Sequence, residues 1–179
     1  MQPTDFQQDY FSLFQFERSF DVDTDELTAR YRRLQQRTHP DRYRGAGERE
    51  RRLAVQYSAL VNEAYETLGS PVRRAQYLLR LAGVDASFEN TSFNDPAFLM
   101  EQMMLREQLA ELKQSAAPEQ DLDALAERLA GVTTAQLDAF RRHYSAGDYA
   151  AATKSVAKLQ FLDKLSQDMA HMEGDILDY

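Results

Sequence analysis

The chain has 179 residues, 43% of them hydrophobic, and a formal net charge of −8. This length suits one or two domains, and no stretch approaches the ~20 consecutive apolar residues of a membrane span. The absence of cysteine excludes disulfides, thiolate metal ligands and a cysteine nucleophile, and an acidic chain is a poor partner for nucleic acid, whose phosphates need a basic surface.

In chain order, the first twenty residues hold Asp5, Asp9 and Glu17 against one arginine, Arg18. That suits neither a secretory signal nor an Arg-rich transit peptide. Asp9–Phe14 is short and aromatic and reads as a first helix with Tyr10, Phe11, Leu13 or Phe14 in the core. Asp23-Thr-Asp-Glu26 is a start resembling a capping box, with aspartate in place of the usual serine or threonine. It opens a helix over Thr24–Thr38 whose Leu27, Tyr31 and Leu34 share one face. Arg30, Arg33 and Arg37 lie together on one flank of that helix and Arg32 on the other. These arginines are either a solvated face or a positive patch that steers an acidic partner.

His39-Pro40-Asp41 follows. The residue before a proline is pushed out of the α region, which makes His39 a natural stop. After the loop Arg42–Gly47 a second helix starts near Glu48, with Leu53, Tyr57, Leu60, Ala64 and Leu68 as its apolar stripe and Gly69 as its end. Two such stripes joined by a short loop pack as an antiparallel pair, with His-Pro-Asp at its exposed tip. Ser70-Pro71 starts a further helix, proline at its first position, that runs to Leu81 and stops at Gly83. Residues 84–94 lack a helical period and are rich in turn formers, the best domain boundary in the chain.

The second part restarts at Asp95-Pro96, an N-cap followed by proline. Its first helix runs to about Ser115. Pro118 opens the next, carrying Leu122, Leu125 and Leu129; Gly131 and the capping-box pattern Thr133-Thr-Ala-Gln136 mark a place for it to bend or restart. Gly147-Asp148 stops it and begins a last long helix, Asp148–Leu177, with Leu162, Leu165, Met169, Met172 and Ile176. No alternating β-branched run appears anywhere. The fold class is all-α: residues 1–83 a helical hairpin plus short helices, 84–94 a linker, and 95–179 an antiparallel three-helix bundle. Charge supports the division. Residues 1–94 carry 13 arginines and no lysine against 14 acids, whereas 95–179 carry 8 basic residues against 15 acids.

On a helical wheel through the first bundle helix, Leu105, Leu109 and Leu112 fall within about 40° of Phe98 and form one stripe with it. Met100, Met103 and Met104 fall on the opposite side with Glu107 and Glu111 among them and Leu99 on the shoulder. Methionine is over-used on adaptable binding surfaces, so this face is either a docking surface or a second packing face against another helix or domain. Phe161, at the edge of the last helix's stripe, is expected to be partly exposed beside it, with a plain core position as the alternative.

The basic helix, His39-Pro40-Asp41 and Asn62-Glu-Ala-Tyr65-Glu-Thr-Leu68 together resemble a J-domain. Phe98-Leu-Met-Glu-Gln-Met-Met-Leu-Arg-Glu-Gln-Leu-Ala-Glu, with Lys158-Leu-Gln-Phe161-Leu-Asp-Lys-Leu165 and the closing Leu177-Asp-Tyr179, is similar to the HscB family, the J-type co-chaperones of bacterial iron–sulfur cluster assembly. The resemblance covers nearly the whole chain. It implies a J-domain that stimulates the ATPase of a DnaK-class, HscA-like chaperone through His39, Pro40, Asp41 and Arg42, with Arg30, Arg33 and Arg37 in support. It implies a bundle that holds the IscU-like scaffold on Leu99, Met100, Met103, Glu107, Glu111 and Phe161. Met104 stands where the family often has an acid, which makes the face more apolar here; it is placed with them because it lies on the same side of the helix as Met100 and Met103. Arg42 stands where J-domains usually have lysine; the charge is kept with a different hydrogen-bond geometry.

The expectation is thus a monomeric cytoplasmic co-chaperone that is not itself an enzyme, with no cofactor, no metal site, no nucleic-acid partner and no membrane partner. A general holdase using the Met face for unfolded chains is the second reading. An acid–base enzyme using His39 and Asp41 is the third; the proline between them and the exposed tip oppose it. His143 and His171 are far apart in sequence and show no metal-ligand spacing.

Overall fold

Seven helices lie among the residues that the computed structural model describes: 8–38, 45, 47–84, 95–112, 115 and 117–177. They are α1 (Tyr10–Leu13), α2 (Thr24–Thr38), α3 (Glu48–Gly69), α4 (Pro71–Leu81), α5 (Pro96–Glu111), α6 (Pro118–Ser145) and α7 (Tyr149–Leu177). No strand occurs among the described residues, and no helix is long and apolar enough to cross a membrane. The chain divides into two compact units, Met1–Ala82 and Gly83–Tyr179. His39, Pro40, Asp41 and Arg42, like residues 85–94 of the expected linker, fall outside the described residues.

In the first unit the N-caps are those that composition points to. Asp9 Oδ1 accepts from the Ser12 amide at the head of α1, and Asp23 Oδ1 accepts from the amides of Asp25 and Glu26 at the head of α2; each capping bond satisfies an otherwise orphaned donor. Leu27 of α2, Ala54, Val61, Ala64 and Leu68 of α3, and Phe11 and Phe14 are all buried in the core of this unit. Tyr31 and Leu34 are only half-buried. Tyr31 instead stacks on Tyr65, ring centroids 4.0 Å apart. Helix α3 ends at Gly69 and α4 begins at Pro71 as the sequence indicates: Ser70, with φ −91°, terminates α3 while its Oγ accepts from the Arg73 amide to cap α4. One serine serving two helices removes the need for a left-handed glycine there.

Helix α4 closes this unit from below with Ala75, Tyr77, Leu78 and Leu79 buried. Tyr77 stacks on Tyr10 at 4.4 Å, and its hydroxyl accepts from the Tyr10 amide at 2.8 Å. Arg74 is also buried, at 5% exposure. Its Nε donates to the Leu68 carbonyl at 2.7 Å and its Nη1 to the Phe20 carbonyl at 2.6 Å.

The second unit is a long α6–α7 hairpin against which the shorter α5 lies. Its core joins Phe98, Leu105, Leu109 and Leu112 of α5 to Leu122, Leu125 and Leu129 of α6 and Phe161, Leu162 and Leu165 of α7. The first stripe drawn on α5 is therefore the inward one. No restart occurs after Gly131: α6 is continuous from Pro118 to Ser145. Packing along α7 overrides a weak local signal, because most helical stability comes from the buried face. The Thr134 hydroxyl, free to act in a cap, donates instead to the Ala130 carbonyl one turn back.

Gly147 holds φ +74° in the α6–α7 connection, and Asp148 Oδ1 accepts from the Ala151 amide to cap α7. A Cβ at Gly147 meets nothing within 4 Å, so a substitution there tests the backbone alone. Gly147→Ala is expected to lower stability by about 1 kcal/mol, the usual penalty for a left-handed L-residue, read from the denaturant midpoint.

Candidate functional site

The first candidate face is the basic flank of α2. Arg30, Arg33 and Arg37 do line one hollow of about 210 Å3, together with Leu13, Phe14 and Leu34. They are not equivalent. Arg30 turns inward: Nε pairs with Glu26 Oε1 at 2.7 Å, Nη1 donates to the Phe14 and Gln15 carbonyls at 2.8 and 2.6 Å, and the guanidinium lies over the Phe16 ring. Gln15 has φ 61°, a left-handed conformation that costs a non-glycine residue roughly 1–2 kcal/mol. Arg30 thus ties down the turn after α1. Arg33 is exposed and touches Glu26 only at 3.3 Å, and Arg37 is exposed. The Arg30 guanidinium, with Arg33 beside it, holds the Glu26 carboxyl below its ordinary range.

Between α2 and α3 a polar tie accounts for part of the motif on α3. The Tyr31 hydroxyl donates to Asn62 Oδ1 at 3.1 Å. Gln35 Nε2 donates to the Tyr31 hydroxyl and, at 3.4 Å, to Asn62 Oδ1. Thr28 and Tyr65 hydroxyls meet at 3.1 Å. Asn62 and Tyr65 thus tie α3 to α2 at Thr28, Tyr31 and Gln35. Spacing alone does not disclose that role; only the pairing of one helix with the other does.

The second candidate face is on α5. Met100 and Met103 are 69% and 72% exposed, and Leu99 and Met104 are 43% and 47% exposed. Glu107 and Glu111 are exposed on the next two turns. No bundle helix covers these side chains, which removes the reading that they pack within their own unit. A row of four large apolar side chains on solvent with carboxylates beyond it is the kind of surface that marks an interaction site.

Phe161 requires a correction. It is 7% exposed and belongs to the core. Its ring meets the Phe98 ring edge-on at 5.9 Å, and the Arg106 guanidinium covers it at 4.9 Å. A residue at the edge of a stripe is buried when a long side chain from the facing helix folds over it, and Arg106 does this. Arg106 was not singled out from the sequence. It sits between Leu105 and Glu107 with nothing in the spacing to mark it.

The start of α5 is held by a chain of charges and rings. Asp95 Oδ1 accepts from the Phe98 amide at 3.1 Å. Lys158 Nζ reaches from α7 to Asp95 Oδ2 at 2.6 Å and lies 4.9 Å from the Phe98 ring centroid. The Lys158 ammonium, and then the Phe98 amide, hold the Asp95 carboxyl below the usual aspartate range. A depressed carboxyl contributes stability above its unfolded value, about 3.9, and loses it as pH falls through the folded value. Acid unfolding followed between about pH 5 and 2 is expected to show this component in the parent and to lack it in Asp95→Asn, where asparagine still caps the helix.

The comparisons with known proteins agree with this arrangement. Residues 9–77 match the family model of the DnaJ domain, and residues 94–170 match the model described as the HSCB C-terminal oligomerisation domain. A protein of Shewanella sp. (strain ANA-3) named co-chaperone protein HscB homolog is 41% identical over 172 residues, covering 94% of this chain and 99% of that protein. The chain belongs to the HscB family of co-chaperones. Solved HscB structures have the same fold. Chaperone HscB from Vibrio cholerae superposes with a TM-score of 0.84 at 38% identity, covering 94% of this chain and 99% of its own. Human co-chaperone protein HscB superposes with a TM-score of 0.86 at 30% identity, covering 97% and 84%. As in those HscB proteins, a J-domain precedes a C-terminal helical domain. The all-α fold, with its J-domain and C-terminal helical domain, is the one expected from the motifs.

Proposed function

We propose that this HscB-family chain stimulates the ATPase of an HscA-like, DnaK-class chaperone through its J-domain, and delivers to it an IscU-like iron–sulfur scaffold held on the α5 face. The observation that carries the reading is the exposed row Leu99, Met100, Met103 and Met104 with Glu107 and Glu111 beyond it. Apolar side chains supply burial and the carboxylates supply orientation to a partner with matching cations. Arg33 and Arg37, exposed on α2, supply attraction for an acidic chaperone surface. Asp41 pairs with a cation of that chaperone, while His39 and Pro40 shape the loop and Arg42 adds charge beside them. Arg30 contributes by holding the neighbouring turn. Phe161 supports the α5 face from beneath. Two weak contacts in one chain raise the effective concentration of scaffold at the chaperone. The site of action is the cytoplasm, with the chain acting as a monomer.

The test is steady-state ATP hydrolysis by the cognate chaperone with this protein added, with and without scaffold. Stimulation is expected to grow with scaffold and to disappear in His39→Gln and Asp41→Asn. Full stimulation by Asp41→Asn counts against the J-domain role. Stimulation indifferent to scaffold, with similar binding of many denatured proteins, leaves the holdase instead.

A further inference from the structure

Arg106 is the basic residue of α5; no other lysine or arginine lies between Pro96 and Glu111. It follows Met103 by three positions and Leu99 by seven, so it borders the methionine row on one flank of the helix. That flank is the one toward α7, because the Arg106 guanidinium lies 4.9 Å from the centroid of the Phe161 ring. The residue as a whole is exposed. Other cations of this unit are engaged by polar groups: Lys158 by Asp95 and Arg128 by Gln108. Arg106 is engaged by a ring. A guanidinium attracted by the ring quadrupole leaves its N–H fork for a second partner, and that fork fits a carboxylate. The ring also restricts a long side chain in advance, so less freedom is lost when a partner arrives. The methionines by themselves give the face no direction, since they adapt to many shapes. Charge does give it one. Glu107 and Glu111 lie roughly 100° and 140° round the helix from Arg106, so a cation on one flank stands across from two carboxylates. We propose that Arg106 is a specificity-determining contact of the α5 face: it takes an aspartate or glutamate of the docked partner and so fixes which way round that partner lies on the methionine row.

This inference deepens the docking role proposed for that face and rests on it. Its test is calorimetric titration of the full chain with the IscU-like scaffold, at low salt and at about 1 M salt, where screening is strong. The parent is compared with Arg106→Met, Arg106→Gln and Arg106→Lys. Methionine still covers the Phe161 ring, so Arg106→Met separates loss of the cation from loss of the cover. At low salt Arg106→Met and Arg106→Gln are each expected to bind about tenfold more weakly, equivalent to 1.4 kcal/mol. The gap to the parent is expected to narrow at high salt. Arg106→Lys is expected to recover part of the loss, because it keeps the charge without the fork. Parent-like binding by Arg106→Met shows that the side chain only covers the ring, and overturns the proposal. So does a loss that salt leaves unchanged, or Arg106→Lys binding no better than Arg106→Met. A scaffold that the unaltered chain does not bind overturns the docking role and this contact with it. Binding that falls in Met100→Ala/Met103→Ala but holds in every Arg106 variant overturns the contact alone.

Discussion

Met100→Ala/Met103→Ala is expected to weaken the proposed binding of an IscU-like scaffold about 100-fold, a loss of roughly 1.4 kcal/mol per side chain, and to unfold at an unchanged temperature. The two effects separate because both side chains stand in water in the free protein, 69% and 72% exposed. Truncation removes little from the folded state, yet it removes apolar surface that a partner would bury, worth roughly 1.5–3 kcal/mol for a fully buried methionine. The two lie one turn apart, so their effects need not add fully. Calorimetric titration checks the affinity and a thermal scan the stability. Affinity within about threefold of the parent, under 0.7 kcal/mol by the same arithmetic, rules the face out as the main contact. Phe161→Ala is a poor substitute in this experiment. Its ring is core, and truncating a buried phenylalanine costs about 3–5 kcal/mol, so any binding loss is mixed with unfolding.

Arg74→Met is expected to destabilise the first unit by about 3 kcal/mol, because removing one partner of a buried hydrogen bond exposes the full desolvation penalty of the group left behind, roughly 1–3 kcal/mol each. Two carbonyls are left: Leu68 at the end of α3 and Phe20 in the loop before α2. Replacing a buried charge by an apolar side chain of similar length is often neutral. Here it is not, since both acceptors are backbone groups that remain in place. Burial pushes the guanidinium pKa down, but arginine stays charged at neutral pH. Arg74→Lys recovers part of the loss, because an ammonium cannot span both carbonyls with the geometry of the fork. Denaturant midpoints of the full chain measure it. A change below about 1 kcal/mol, the worth of an ordinary hydrogen bond, shows that water replaces the guanidinium.

The two units differ in how far local pattern carries. Asp23, Asp95 and Asp148 mark helix starts, and each caps as its chemistry demands. Stripes at a period of 3.6 place Leu27, Ala64 and Leu68, and Phe98, Leu105 and Leu109, in their cores. Gly131 misleads because a glycine permits a break without requiring one, and the face of α6 was already committed to its neighbours, whereas at Gly69 the helix does end.

What the amino-acid order determined by itself is therefore whatever depends on a few neighbouring residues: the helices, their caps, their apolar faces, the family motifs and the methionines opposite the inward stripe of α5. What only the tertiary structure decided depends on groups distant in the chain. Arg74 and Phe20 are 54 residues apart, and Lys158 and Asp95 63 apart. Arg30 looks like one of three equal surface cations until the α1 turn closes on it, and Phe161 looks half-exposed until Arg106 folds over its ring. A long side chain reaches ~6 Å or more from its backbone, beyond the one-turn neighbourhood that helical periodicity describes. Its partner is chosen by whichever element the fold brings within that reach.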